Sequence, residues 1–321
     1  MMSLIKESVI SNATQLAQAL VMVRPVDFGF NEETALDNEF QQKRDDAAKV
    51  TEMALYEFDI MVNRLRAAGL DILVLEKAEQ ARSVTPDAIF PNNWFSTSTN
   101  GSLTIYPMFA ENRRQERRLD DLTSLLNHHG YQVTHLNQIA PMDEQIEILE
   151  GTGALVIDHI NGALYASESE RCHEKQFQRF AEHNEYQGRF LFSTASENGK
   201  SIYHTNVMMS VGEGFAVICG ECFVDQAEYQ RVKQSLSLSN EVIEISREQM
   251  EKSFCANILH VKNAEEQPFI IMSKSAFNGF SLAQKKQLEQ YAELLVNDID
   301  TIEAVGGGSA RCMVAEVFLP K

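Results

Sequence analysis

The 321-residue chain carries 46 acidic against 28 basic side chains, a net charge of −18, which excludes a nucleic-acid or anionic-membrane surface built on clustered cations. Its 44% apolar and 23% charged residues are those of a globular protein with a sizeable core, and no apolar run approaches bilayer-spanning length. Five cysteines, an odd number, read as reduced thiols, and Lys6, Glu7, Ser8, Ser11 and Asn12 interrupt any leader-like apolar run, so the expected location is the cytoplasm.

In chain order, apolar residues at Val50, Ala54, Phe58, Met61, Val62 and Leu65 predict a helix over 47–68, which Gly69 can cap before a strand over 70–75. Helix then strand is expected again at 112–129 with 131–136, at 172–183 with 189–193, at 226–236 with 242–245, and at 281–297 with 301–305. Short β-rich runs precede the later helices, at 103–108, at 154–157 and 163–166 around Asn161-Gly162, at 215–218 and at 269–272. No linker interrupts the chain, which reads as a single domain over 1–321. About five copies of strand–strand–helix–strand predict an α/β propeller-like assembly of pseudo-repeated modules; an open α/β sheet is the structural alternative. Cys219 and Cys222 form a C-x-x-C with no second ligand pair, so neither a metal nor a cofactor is expected.

Asn93, Glu150, His204, Asn257 and Cys312 stand at the heads of successive units, 57, 54, 53 and 55 residues apart. In a radial assembly, positions of equal phase converge on the axis. A thiol, an imidazole and a carboxylate would then meet, the set that covalent catalysis by cysteine requires. Cys312 follows Gly306-Gly307-Gly308-Ser309-Ala310-Arg311. Three consecutive glycines imply a backbone need, and free N–H groups in such a loop would favour a thiolate. Taken alone, Arg113 and Arg114 read as a solvated helix face.

Tyr203-His204-Thr205-Asn206, Leu149-Glu150-Gly151-Thr152-Gly153, Pro86-Asp87-Ala88-Ile89-Phe90-Pro91-Asn92-Asn93-Trp94 and the terminal Gly306–Cys312 run resemble the guanidino-group-modifying superfamily. This superfamily contains the arginine deiminases, dimethylarginine hydrolases, arginine dihydrolases and amidinotransferases, and the chain is most similar to its citrulline-utilisation, amidinotransferase-like branch. The likeness runs from about Val21 to the terminus. It implies the pentein fold, a five-bladed α/β propeller of ββαβ modules.

Carried over by position, the resemblance makes Cys312 the nucleophile on a guanidino or ureido carbon. His204 becomes the proton carrier and Glu150 its orienting carboxylate. Asp87 would bind the guanidinium, and Arg113 and Arg171 the substrate α-carboxylate. Asn92 and Asn93 stand where deiminase-type members carry an acidic residue. Asn206 replaces the aspartate found two residues after the catalytic histidine in arginine deiminases. An amide offers both donor and acceptor and can serve a ureido oxygen that a carboxylate repels. The expected activity is thiol-dependent hydrolysis of arginine- or citrulline-like amino acids. The alternatives are amidine transfer to an amine and a non-catalytic propeller binding protein. The expected partner is a small guanidino or ureido amino acid, with self-association left open.

Overall fold

Fifteen strands among the described residues form five three-stranded sheets of one design. The structure, a computed structural model, describes residues 14–77, 82–139 and 147–321. Residues 6–12, which include Lys6, Glu7, Ser8, Ser11 and Asn12, lie outside the described residues. In each sheet the middle strand runs antiparallel to the first and parallel to the third. A parallel pair needs a crossover, and each crossover here carries one or two helices.

Four units follow in sequence. The first pairs Phe95–Thr97, Ser102–Ile105 and His135–Gln138; the second pairs Val156–Asp158, Ala163–Ser167 and Gly188–Phe192. The third pairs Met209–Val211, Phe215–Ile218 and Glu241–Glu244; the fourth pairs Leu259–Lys262, Pro268–Ser273 and Glu293–Asn297. The fifth joins the two ends of the described chain. Ala315–Val317 lies antiparallel to Ala19–Val23, which lies parallel to Asp71–Leu75. The first strands of these four units, three residues long in three of them and four in the last, are too short to carry a period of their own.

The fifth unit shows how burial builds a module. Helix α1 (Ala47–Ala67) buries Val50, Ala54, Phe58, Met61, Val62 and Leu65 against Leu20, Met22 and Ile72 of the sheet. Each large apolar side chain removed from water contributes about 1.5–3 kcal/mol, which outweighs the weak helix preference of Val50 and Val62. The Asp46 carboxylate accepts the Lys49 N–H at the N-terminus, and Gly69 leaves the C-terminus with a φ of 83°. Cys219 and Cys222 close the strand Phe215–Ile218 inside a hydrophobic cluster, with their sulfurs 3.2 Å apart.

Several sequence expectations are corrected: the helix expected over 281–297 stops at Leu288, with 293–297 in a strand, and the strand expected over 131–136 is His135–Gln138. Residues 112–129 form two helices, Glu111–Arg114 and Leu119–His128, because Arg113 and Glu116 turn inward and pair with each other as the chain bends between them. Residues 301–305, expected as a strand, belong to the helix α2 (Asp300–Gly306), and the unit's third strand is Glu293–Asn297. The cause is tertiary. Glu57 of α1 accepts the N–H groups of Thr301 and Ile302 at 2.9 and 3.0 Å, satisfying donors that a helix start leaves free.

Candidate active site

Each head residue sits in the tight turn that leads into the first strand of its unit. Asn93 ends the turn Pro91–Asn93, and Glu150 and His204 immediately precede the turns Gly151–Ala154 and Thr205–Val207. The Asn257 N–H closes onto the Phe254 carbonyl at 2.8 Å, and the Cys312 N–H onto the Ser309 carbonyl at 2.9 Å. Because the five turns occupy equivalent places in five equivalent modules, residues more than fifty positions apart become neighbours.

One cavity gathers Asp87, Asn93, Arg113, Arg171, Tyr203, His204 and Cys312, with Asn38, Phe90, Gly306 and Gly308 completing its wall. The seven side chains are buried. His204 Nε2 lies 2.7 Å from Glu150 Oε2, and the other Glu150 oxygen accepts the Phe109 N–H at 2.9 Å. Burial by itself raises a carboxyl pKa. Around Glu150 the Arg171 guanidinium, the His204 hydrogen bond and Arg113 overcome it and hold the group far below its ordinary value. Burial pulls His204 down from 6.5 to about 4 against the pull of Glu150, so the imidazole is neutral at neutral pH. An ionised carboxylate only accepts hydrogen bonds, so Nε2 carries the His204 proton and Nδ1 is the free basic nitrogen.

The Cys312 sulfur lies 3.2 Å from Asn257 Nδ2 and 3.5 Å from Asn206 Nδ2. The glycine loop does a different job from the one its sequence suggests. The Cys312 N–H is committed to Ser309, and Gly307, at a φ of 64°, caps α2 with its N–H on the Glu303 carbonyl. A β-carbon at Gly306 or Gly308 would lie 2.7 or 3.0 Å from the Phe90 ring, so these glycines admit a close packing partner beside the thiol.

Asp87 Oδ2 accepts hydrogen bonds from Asn31 Nδ2 at 2.8 Å and Thr34 Oγ1 at 2.9 Å, while Oδ1 has no partner among the described residues. Asn93 Oδ1 accepts from Arg113 Nη1 at 2.7 Å, and its Nδ2 likewise has no partner among them. Gly153 leaves room for this amide: a β-carbon there would lie 2.3 Å from Asn93 Nδ2 and 2.9 Å from His204 Nδ1.

Neither arginine is the solvated side chain that its local sequence suggests. Arg113 forks onto Glu116 and also reaches the Phe90 carbonyl. Arg171 forks onto Asp37 with two 2.7 Å bonds, reaches Glu150 at 3.4 Å and lies over the Tyr203 ring. Burial opposes both charges, but the surrounding carboxylates, Glu116 for Arg113 and Glu150 for Arg171 foremost, raise both above the ordinary arginine value.

Not every expected residue lines this cavity. Glu150 stands behind His204, and Asn206 contacts the sulfur from the wall of a second, larger cavity. Asn92 is fully buried outside the cavity wall, and neither of its amide atoms has a partner among the described residues.

The segment 31–42 was not anticipated from sequence. Asn31 and Thr34 hold Asp87, Asp37 holds Arg171, and Asn38 and Gln41 bind the Gly306 carbonyl. This polar stretch has no periodicity to mark it. Tyr203, whose hydroxyl donates to the Gly307 carbonyl at 2.6 Å, had only its neighbour His204 as a signal, and Asn257 only its phase.

Residues 24–319 match the model of a family described as N,N dimethylarginine dimethylhydrolase, eukaryotic. No curated protein sequence is significantly similar. Among solved structures, ArgZ, an arginine dihydrolase from the ornithine–ammonia cycle in cyanobacteria, superposes with a TM-score of 0.71 at 14% identity, over 94% of this chain and 41% of its own. This chain therefore spans less than half of full-length ArgZ. The ArgZ N-terminal domain, covalently bonded to a reaction intermediate, is covered over 99% of its length at a TM-score of 0.70 and 14% identity. A histidine-to-glycine variant of dimethylarginine dimethylaminohydrolase, solved as its adduct with S-methyl-L-thiocitrulline, has a TM-score of 0.64 at 16% identity over 94% of this chain and 100% of its own. At these identities the likeness is one of fold.

Proposed function

Because this chain belongs to the N,N-dimethylarginine dimethylhydrolase family, hydrolases acting on a guanidino C–N bond, we propose that it hydrolyses the guanidino or ureido group of an arginine- or citrulline-like amino acid through a covalent intermediate on Cys312. The observation that carries this reading is a pair of atoms at one buried cavity that have no partner among the described residues, an acceptor on Asp87 and a donor on Asn93. Leaving a buried polar group unpaired costs about 1–3 kcal/mol, so a ligand that satisfies both gains accordingly. A guanidinium N–H suits Asp87 Oδ1, and a developing or existing ureido oxygen suits Asn93 Nδ2.

In this mechanism neutral His204 takes the Cys312 proton as the thiolate attacks the planar carbon. The imidazolium, steadied by Glu150, returns that proton to the leaving amine as the C–N bond breaks. Water, deprotonated by His204, then attacks the thiouronium carbon. The thiolate leaves and the ureido product is released. For arginine the balance is arginine plus water to citrulline plus ammonia.

Arg171 is the better candidate for the substrate α-carboxylate, since its fork is held by Asp37 of the segment 31–42, a group that has to yield when that carboxylate enters. Arg113 is committed to Glu116 and Asn93 and serves by keeping Asn93 oriented. Convergence of the five head turns also supports closure of the five sheets into a propeller, with 1–321 as one catalytic domain. Five buried free thiols suit a reducing compartment such as the cytoplasm.

The test is incubation with arginine, methylated arginines, citrulline and agmatine, with and without an acceptor amine, scoring ammonia, alkylamines, urea, ornithine and citrulline. Hydrolysis of one of these without added amine is expected. Product formed only when an amine is supplied would make the protein an amidinotransferase instead.

A further inference from the structure

We infer that Asn257, assisted by Asn206, steadies the sulfur of Cys312 as it becomes an anion on losing its proton to His204, so that two neutral amides do the work a cation would otherwise do. This rests on the reading of Cys312 as the nucleophile.

Four amide atoms surround the sulfur: Asn257 Nδ2 at 3.2 Å and Oδ1 at 3.6 Å, Asn206 Nδ2 at 3.5 Å and Oδ1 at 3.8 Å. In each amide the nitrogen is the nearer atom. The Asn257 orientation is pinned from both ends by backbone. Oδ1 accepts the Arg311 N–H at 3.1 Å, and Nδ2 donates to the Asn206 carbonyl at 3.0 Å. A flipped amide would set oxygen against carbonyl and N–H against N–H, so a donor is held facing Sγ. Asn257 is also fully buried, where a hydrogen bond to an ionised partner is stronger than in water.

The charged groups nearby do not fill this role. Arg113 and Arg171 line the same cavity, but their forks are taken by Glu116, Asp37 and Glu150. Arg311, next in sequence to the thiol, pairs with Glu316 at 2.7 Å. His204 is neutral, Asp87 would oppose a thiolate, and the Tyr203 hydroxyl is spent on the Gly307 carbonyl. Among the described residues, the side-chain donors in contact with this sulfur are the Asn257 and Asn206 amides. They also add no further positive charge to a cavity that has to admit a guanidinium.

The test follows the pH at which Cys312 is half-alkylated by iodoacetamide, located by peptide mass spectrometry, with kcat and KM measured alongside. Asn257→Asp keeps the shape and the acceptor for Arg311 but replaces the donor with a negative oxygen. It should move the midpoint up by about one pH unit or more and lower kcat at least about tenfold with KM little changed. Asn257→Ala decides, with a smaller upward shift expected. A folded Asn257→Ala variant, which removes the donor without adding a charge, overturns the inference if its midpoint matches the parent enzyme; the aspartate variant alone does not decide, because its new charge raises the midpoint in any case. The nucleophile reading fails separately: an active Cys312→Ser enzyme would sink that reading whatever the alkylation midpoint of the Asn257 variants.

Discussion

His204 Nε2 and Glu150 Oε2 lie 2.7 Å apart although the two residues belong to different modules, and neither side chain is open to solvent. The contact and the burial around it pull the imidazole's protonation in opposite directions. Glu150 favours the charged imidazole, but burial disfavours it more, and the balance puts His204 at about 4 in place of 6.5. In the free enzyme His204 is therefore a base in waiting.

The His204 ring protons, followed by NMR, should show no titration between pH 7.5 and about 5, because the imidazole stays neutral until well below its ordinary range. The sign for stability follows. Between about 4 and 6.5 the unfolded chain binds this proton and the folded chain does not, so His204 favours unfolding as pH falls through that window. A ring titrating at 6.5 or above in the folded protein would remove the basis for His204 as the resting base.

Arg113→Ala should destabilise the protein by about 3–5 kcal/mol, measured by denaturant unfolding, because it leaves the buried Glu116 carboxyl, which burial pushes up to about 7 even beside Arg113, without its partner. Replacing both members with apolar residues, Arg113→Met with Glu116→Leu, should recover much of that loss while activity stays low through the freed Asn93. Equal stability of Arg113→Ala and parent would mean that the pair contributes nothing to folding.

Asp37→Asn weakens the charge that competes for Arg171. Its KM for α-amino acid substrates should fall, while that for agmatine, which lacks the carboxylate, should not; Arg171→Ala should raise KM for the amino acids selectively. Parallel changes for both substrate types would make the ion pair structural only.

How much of this was legible in the chain depends on range. The stripe from Val50 to Leu65 and the strand Phe215–Ile218 were readable because local periodicity and tertiary burial agree there. The even spacing from Asn93 to Cys312 placed the head residues, since one module repeats one path length. The helix Asp300–Gly306 was hidden because β-branched Thr301, Ile302 and Val305 favour a strand locally, while its cap comes from Glu57, more than two hundred residues away. The inward turn of Arg113 was hidden for a similar reason, since Glu116 three positions on looks like an ordinary surface partner. Asp37 and Asn38 act through contacts to residues more than a hundred positions distant, which no local pattern reports.

Asn93→Asp should separate one-step from two-step chemistry. The unpartnered Nδ2 donor is lost, and a negative oxygen is set against any ureido oxygen in the site. The variant should release citrulline from arginine and lose turnover of citrulline itself. A parent enzyme that halts at citrulline, with a variant indistinguishable from it, would remove Asn93 from the chemistry.

The covalent step on Cys312 is tested most directly by rapid acid quench of the enzyme during turnover of its best guanidino or ureido substrate, followed by mass spectrometry of the Cys312 peptide. The predicted result is an adduct equal to the substrate less its leaving amine, absent from Cys312→Ser, which should fold normally and retain less than about 1% of activity because a hydroxyl is a far weaker nucleophile than a thiolate. Steady turnover with no adduct, together with substantial activity in Cys312→Ser, would contradict it.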